Sequence, residues 1–110
     1  MTSIETVLKE HKMICKNAYD VVEKKGMDYA RYQHKNGDTL ANISNSKNCG
    51  ITDTVCQGLL VRLGDKFSRL ISLTKNPKEQ ARVKDEKVSD TIEDMINYLI
   101  YLKIKYGEEQ

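Results

Sequence analysis

Apolar residues recur every three to four positions along three stretches of this 110-residue chain. Such a spacing places the apolar side chains on one face of an α-helix and leaves the opposite face polar. It predicts helices over residues 3–25, 53–74 and 86–106. No stretch shows the strict alternation of apolar and polar positions that is typical of a half-buried β-strand. The sequence therefore predicts one all-α domain that spans residues 1–110 and has three main helices.

Each predicted helix has an apolar face that fits a period of 3.6 residues. In chain order, these faces consist of Ile4, Val7, Leu8, Ile14, Ala18, Val21 and Val22; of Val55, Leu59, Leu60, Leu63, Phe67, Leu70 and Ile71; and of Val88, Ile92, Met95, Ile96, Leu99, Leu102 and Tyr106. Three helices of this length bury one modest core and leave much apolar surface uncovered. We therefore expect the chain to associate with copies of itself, as a dimer or a tetramer.

Local signals mark the predicted helix ends and one close contact. The run Thr2-Ser3-Ile4-Glu5 resembles a capping box, in which a hydroxyl and a carboxylate accept hydrogen bonds from the free amides of the first turn. Gly26 suits the left-handed conformation that closes many helices. Gly58 and Gly64 reduce the stability of the second helix, so they indicate close approach of another helix or of a ligand.

Residues 27–51 interrupt the helical periodicity and are rich in Asn, Ser, Gly and Asp. A connection of this length in so small a domain is commonly either a functional lid or a disordered segment, and both alternatives stay open. The aromatic and basic residues at its start, Tyr29, Arg31 and Tyr32, favour a role that faces a ligand.

Charge and composition narrow the classes of partner. The net charge of +2 is too small to indicate binding to long nucleic acid. Cys15, Cys49 and Cys56 form no C-x-x-C pair, and His11 and His34 have no partner at metal-ligand spacing, so we expect neither a disulfide framework nor a zinc site. No apolar run approaches the roughly 20 residues that span a bilayer. We expect a cytoplasmic protein with no membrane partner.

An acidic stripe runs along the third predicted helix. Its members, spaced i, i+4, i+8 and i+11 on one helix face, are Glu86, Asp90, Asp94 and Asn97. Like charges one turn apart repel each other, and a magnesium ion or basic residues on a neighbouring helix would relieve that repulsion. A solvated acidic edge at a helix start accounts for Glu86 and Asp90, but poorly for Asp94 and Asn97 in the middle of the helix.

A basic stripe runs along the second predicted helix. Arg62, Lys66 and Arg69 are spaced i, i+4 and i+7, with Asp65 beside them. If the second and third helices pack antiparallel, the basic and acidic stripes face each other. They then form either an ion-pair network or the two walls of a phosphate site, because arginine binds carboxylate and phosphate with the same bidentate geometry.

Two motifs join these stripes: D-K-x-x-R-L at 65–70 and V-x-D-E-x-x-x-D-T-x-x-D-x-x-N-Y at 83–98. In these motifs, the chain resembles the phage nucleotide-modification-associated domain family. The matching positions are Asp65, Lys66, Arg69, Leu70, Val83, Asp85, Glu86, Asp90, Thr91, Asp94, Asn97 and Tyr98. The family motif K-N-x-D-Y-G corresponds to residues 25–30, where Gly26 replaces Asn and Ala30 replaces the final Gly. The resemblance covers about three quarters of the chain and implies a nucleotide-handling phage protein in the host cytoplasm.

More distantly, the helical layout resembles the MazG-type nucleoside-triphosphate pyrophosphatases. These all-α oligomers hold magnesium with E-x-x-E on one helix and E-x-x-D on the next. This chain has R-L-G-D at 62–65 and T-I-E-D at 91–94, so two of the four carboxylates are absent and Arg62 replaces one of them. Clustered carboxylates hold hard cations, whereas an arginine binds phosphate directly. The resemblance thus implies nucleotide binding with weakened metal affinity.

These observations favour a non-catalytic phage protein that sequesters a nucleotide, in particular a cyclic dinucleotide immune signal, similar in role to phage sponges that counter cyclic-oligonucleotide (CBASS) defence. In this hypothesis, basic residues clamp the phosphates, Tyr29 or Tyr32 stacks on a base, and no cofactor takes part. A site shared between subunits suits a two-fold symmetric ligand. The residues expected to bind the ligand are Asp28, Tyr29, Arg31, Tyr32, Arg62, Asp65, Lys66, Arg69, Asp90, Asp94, Asn97 and Tyr98.

Two alternatives stay open. The first is a magnesium-dependent pyrophosphatase acting on a nucleoside triphosphate, with Asp65, Glu86, Asp90 and Asp94 as catalytic residues and with Glu86, Asp90 and Asp94 as metal ligands. The second is a structural or protein-interaction bundle, in which the acidic and basic stripes only pair with each other.

Overall fold

The computed structural model describes residues 1–32, 40, 42–75 and 81–110 of the chain, without the side chains of 26–32 and 82. Four α-helices lie in this part: α1 (Ile4–Tyr32), α2 (Asn45–Asn48), α3 (Val55–Lys75) and α4 (Ala81–Glu108). A 3-10 turn, Asn42–Ser44, directly precedes α2. No described residue belongs to a β-strand. The prediction of an all-α fold is confirmed, and α2 adds a short helix to the three that were predicted.

The first helix is longer than predicted. It starts as expected after Ser3, whose Oγ accepts the Thr6 amide at 3.2 Å. This bond confirms the hydroxyl part of the predicted cap. The helix then continues through Gly26 to Tyr32, so the predicted end at residue 25 is wrong. One glycine inside a helix costs only about 1 kcal/mol relative to alanine, and no proline follows to stop the helix.

Part of the segment predicted as a long loop is helical. Residues 27–32 extend α1, and residues 42–48 form the 3-10 turn and α2. Residues 33–39 and 41 lie outside the description. The short helix packs against α3 at Gly58, where an added Cβ would collide with the Ser46 hydroxyl. The close approach predicted for Gly58 is therefore confirmed, whereas Gly64 faces open space.

The remaining helix boundaries differ from the prediction by a few residues. α3 begins at Val55, because the Thr54 hydroxyl accepts the Gln57 amide at 3.1 Å and caps the first turn. α4 begins at Ala81, earlier than the predicted residue 86, and it continues through Gly107 to Glu108. Residues 81–85 contain no glycine or proline, so nothing in the local sequence delays the start of this helix.

Helix α4 lies between the other two long helices. α3 runs antiparallel to it: Val55, at the start of α3, binds Glu109 just after α4, while Lys66 binds Asp94 in the middle of both helices. α1 runs parallel to α4, with the Ala18 carbonyl bonded to Asn97. No helix in the described part of the chain is long and apolar enough to cross a membrane.

The buried core is narrower than the predicted apolar faces. Among the described residues, the buried apolar side chains are Ala18, Ile43, Val55, Leu59, Leu63 and Leu73. Each of the three predicted apolar faces is only partly buried. The residues of these faces that are exposed to solvent are Ile4, Val7, Leu8, Leu60, Phe67, Ile71, Leu99 and Tyr106. Ile43 packs against Val55 and Leu59, so the 3-10 turn closes one end of the space between the helices.

Candidate functional site

A cavity of about 150 Å³ opens between the C-terminal half of α1, the middle of α3 and the surface of α4. We call it the cleft. Its apolar lining comes from α1 and from the segment around the 3-10 turn, and its polar lining comes from Lys25, from Asn42 and from α3 and α4. The residues that line it are Val21, Val22, Lys25, Leu40, Asn42, Ile43, Arg62, Asp94, Asn97, Tyr98 and Tyr101.

A second, shallower space of about 280 Å³ adjoins the cleft along α3. It is lined by Arg62, Asp65, Lys66, Arg69 and Tyr98, and we call it the basic pocket. Arg62 and Tyr98 line both spaces. The cleft and the basic pocket therefore adjoin at Arg62 and Tyr98, with an apolar and aromatic surface on one side and a cluster of cations beside Asp65 on the other.

The predicted pairing of the basic and acidic stripes is present at one position. Lys66 Nζ lies 3.3 Å from Asp94 Oδ2 and 5.0 Å from the centre of the Tyr98 ring. These two contacts hold the ammonium group at the junction of the two spaces. In the described part of the chain, neither Arg62 nor Arg69 forms an ion pair, so the stripes do not form a complete ion-pair network.

The floor of the cleft is formed by α4. Asn97 is only 6% exposed, and its Nδ2 donates to the Ala18 carbonyl at 3.1 Å. Tyr98 and Tyr101 meet edge to face, with ring centres 5.8 Å apart and an angle of 84° between the planes. These contacts fix the side chains of the floor, because each of them packs against a neighbour on α4 or on α1.

The remaining carboxylates of the acidic stripe lie in a different groove. Glu86 and Asp90 line an open surface of about 470 Å³ with Asn17, Asp85, Ser89 and Glu93. Burial raises the pKa of Glu93, and the negative charges of Asp90 and Asp94 raise it further. We call this surface the acidic groove.

The four carboxylates that were predicted as catalytic residues of a pyrophosphatase thus lie in three different places. Asp65 lies in the basic pocket, Asp94 in the cleft, and Glu86 with Asp90 in the acidic groove. Within the described ranges, no three His, Cys, Asp or Glu side chains are arranged to share a metal ion.

The residues predicted at the start of the loop belong to the last turns of α1. The side chains of Asp28, Tyr29, Arg31 and Tyr32 lie outside the described part of the chain. Their backbone directly follows Lys25, which lines the cleft.

Sequence reasoning missed several lining residues. The apolar spacing places Val21 and Val22 on a core-facing helix face, and no pattern in the sequence assigns Lys25 to the site. Tyr101 was not considered, although it lies four residues after Asn97 and therefore on the same helix face. That spacing was the available signal for it.

Comparison of the chain with protein-family models, with curated proteins and with solved structures finds no match in any of the three.

Proposed function

We propose that this protein binds a nucleotide, with its phosphates in the basic pocket and its base in the cleft. The observation that supports this most strongly is that the two spaces adjoin, since Arg62 and Tyr98 line both of them. A nucleotide has the same division, because it joins a flat aromatic group to a cluster of negative charges. One ligand of this kind can occupy both ends at once.

The basic pocket is suited to phosphate. Arg62 and Arg69 lie seven residues apart on α3, and neither has a carboxylate partner in the part of the chain that the structure describes. Each guanidinium group can donate two parallel hydrogen bonds to a phosphate group. Lys66 lies between them and adds a third positive charge.

The cleft is suited to a single base. Its apolar lining, with Val21, Val22 and Ile43, excludes water from one side of a planar ring, while Tyr98 and Tyr101 provide aromatic surface. A cavity on the order of 150 Å³ holds one aromatic ring of about the size of benzene. The volume of about 150 Å³ therefore favours one base per chain, and the second ring of a purine would extend toward the adjoining basic pocket.

The proposal extends to sequestration of a cyclic dinucleotide without turnover, as in phage anti-defence sponges. A ligand with two bases needs two clefts, so two copies of the chain would hold it about a two-fold axis. The positions of the carboxylates favour binding without hydrolysis, because Glu86 and Asp90 line a different surface from the basic pocket proposed for the phosphates.

Association of two copies has independent support in the exposed surface. The chain exposes 8495 Å², whereas a compact monomer of 12.6 kDa exposes about 6,200 Å². Phe67 and Ile71 of α3 are exposed on the side of that helix that faces away from Arg62 and Lys66. Covering this apolar surface with a second copy would leave the cleft open, so this association is separate from the pairing of two clefts around one ligand.

A thermal-shift panel tests the proposal. It contains ribonucleoside and deoxyribonucleoside triphosphates and cyclic dinucleotides, each with and without magnesium, and the ligand is recovered by chromatography. A nucleotide at 100 times its Kd should raise the melting temperature by roughly 10 °C, should need no magnesium, and should be recovered intact. If no nucleotide raises the melting temperature, the binding proposal fails and a structural bundle is favoured.

The acidic groove favours a second candidate, a magnesium-dependent pyrophosphatase. Burial is the largest cause of the raised pKa of Glu93, and the charges of Asp90 and Asp94 add to it; a divalent cation would relieve this repulsion between carboxylates. In that case, a triphosphate would be recovered as monophosphate and pyrophosphate, and D90N would abolish its conversion. Conversion that D90N leaves unchanged would exclude this candidate.

A further inference from the structure

The side-chain amide of Asn97 has only one possible orientation. Its nitrogen lies 3.1 Å from the Ala18 carbonyl, which can accept a hydrogen bond but cannot donate one. The NH2 group must therefore face α1, and Oδ1 must point away from it. The alternative assignment, with nitrogen and oxygen exchanged, would place two acceptors against each other.

The Asn97 oxygen is an unused acceptor in the cleft. No described residue donates a hydrogen bond to Oδ1. In the described part of the chain, no buried side-chain oxygen or nitrogen lacks a partner, so Oδ1 must reach open space. Because Asn97 is 94% buried and lines the cleft, that open space is the cleft. A buried polar atom in such a position is satisfied when a ligand donates to it.

A second acceptor lies one helical turn away. Asp94 precedes Asn97 by three residues on α4 and lines the same cleft. Its Oδ2 is bonded to Lys66 at 3.3 Å, which leaves Oδ1 of the carboxylate for another donor. The described floor of the cleft thus presents two acceptors on one helix face, beside the ring of Tyr98.

We infer that this site selects a guanine base, an inference that rests on the proposed nucleotide binding. Guanine carries two adjacent donors on its Watson–Crick edge, N1–H and the N2 amino group. Adenine and cytosine place an acceptor next to their single amino group, and uracil and thymine place their one N–H between two acceptors. Only guanine has two donor nitrogens side by side on this edge, so only guanine can pair one nitrogen with Asn97 and the other with Asp94 without facing an acceptor with an acceptor.

Wild-type protein tests this inference directly, with Kd values measured calorimetrically for GTP, ITP, ATP and CTP. Inosine differs from guanosine only by the absence of the N2 amino group. Loss of a hydrogen bond to a charged group weakens binding by about tenfold or more, so we expect ITP to bind about tenfold more weakly than GTP. ATP and CTP should bind more weakly still.

Variants then assign the selectivity to the two acceptors. D94N alters a half-exposed side chain and should reduce the ratio of ATP to GTP dissociation constants by about tenfold. D53N is the matched control, because Asp53 is exposed at the start of α3, and it should leave that ratio unchanged. Equal Kd values for GTP and ATP in the wild type would overturn the guanine inference and leave nucleotide binding standing. Absence of binding by every nucleotide would overturn both.

Discussion

The carboxylate of Glu109 closes the amino end of α3 by accepting the Val55 amide at 2.9 Å, although 54 positions separate the two residues. Its other oxygen accepts the Cys56 amide at 3.1 Å. A negative charge at a helix amino end satisfies free amides and interacts favourably with the helix dipole. The residue that follows α4 therefore stabilises the start of α3 and fixes the antiparallel alignment of the two helices.

This contact gives the protein a pH-dependent contribution to its stability. The pKa of Glu109 lies below its ordinary value of 4.5, first because the Val55 amide donates to the carboxylate. A lowered pKa in the folded state stabilises the fold above pH 4.5, and this stabilisation is lost as the pH falls through the folded pKa. E109Q should therefore melt at a lower temperature than the wild type at pH 7, and the difference should shrink at acidic pH.

Melting curves from pH 7 down to pH 3 measure this difference. E108Q is the control in the same tail, since Glu108 contacts only the neighbouring turn through Lys105 at 3.0 Å, among the described residues. A difference between E109Q and the wild type that persists at pH 3 would contradict the role of the charge.

Two glycines of α3 should respond oppositely to alanine. G58A places a methyl group against the Ser46 hydroxyl, so it should lower the free energy of unfolding by about 1–3 kcal/mol. G64A meets no atom within 4 Å and should raise the free energy of unfolding by about 0.4–1 kcal/mol. Urea denaturation of both variants measures the difference. A stabilised G58A would show that α2 does not pack against α3.

Arginine substitutions should weaken nucleotide binding without unfolding the protein. R62Q and R69Q each remove a phosphate donor from the basic pocket, and each should raise the Kd of a bound nucleotide by about tenfold or more. Their melting temperatures without ligand should match that of the wild type, because neither arginine forms an ion pair within the described residues.

The matched control for these arginines is K75Q, which removes a positive charge at the end of the same helix. Calorimetric titration in 50 and 200 mM salt completes the comparison. An equal rise in Kd for K75Q would mean that general positive charge, and not the basic pocket, determines binding.

The exposed apolar face of α3 should control association. The Phe67 side chain is 60% exposed, and F67E would place a charge on this surface. Sedimentation velocity should then detect monomers of 12.6 kDa where the wild type forms dimers or larger assemblies. E10Q on α1 is the control, as Glu10 is exposed and polar. A wild type that sediments as a monomer at all concentrations would disprove the proposed association.

Periodicity predicted the fold class but not the width of the core. The apolar spacing of α3 placed Leu59 and Phe67 on one face, yet Leu59 is completely buried and Phe67 is exposed. A period of 3.6 residues gives the direction of a side chain, whereas burial depends on how far the neighbouring helix extends around that face. Leu73 is buried although it lay outside the predicted stripe, for the same reason.

The polar residues of the site were more predictable than its apolar lining. Charge spacing on two helices brought Arg62, Lys66 and Asp94 into consideration, and these residues line two adjoining spaces. The apolar wall at Ile43 depends on where the segment after α1 packs, and no local pattern specifies that position. The contact of Glu109 with α3 could not be predicted from local sequence patterns either, because it joins residues 54 positions apart.

The arrangement of helices around α4 would link the proposed ligand binding to the docking of α1. α1 contacts α4 but not α3 in the described part of the chain, and the α3–α4 hairpin is closed independently by Glu109. Val21, Val22 and Lys25 complete the cleft only when α1 is docked. A ligand bound in the cleft, as proposed, would therefore hold α1 against the hairpin, and it should slow the exchange of the α1 amide protons with solvent more than that of the α3 amide protons.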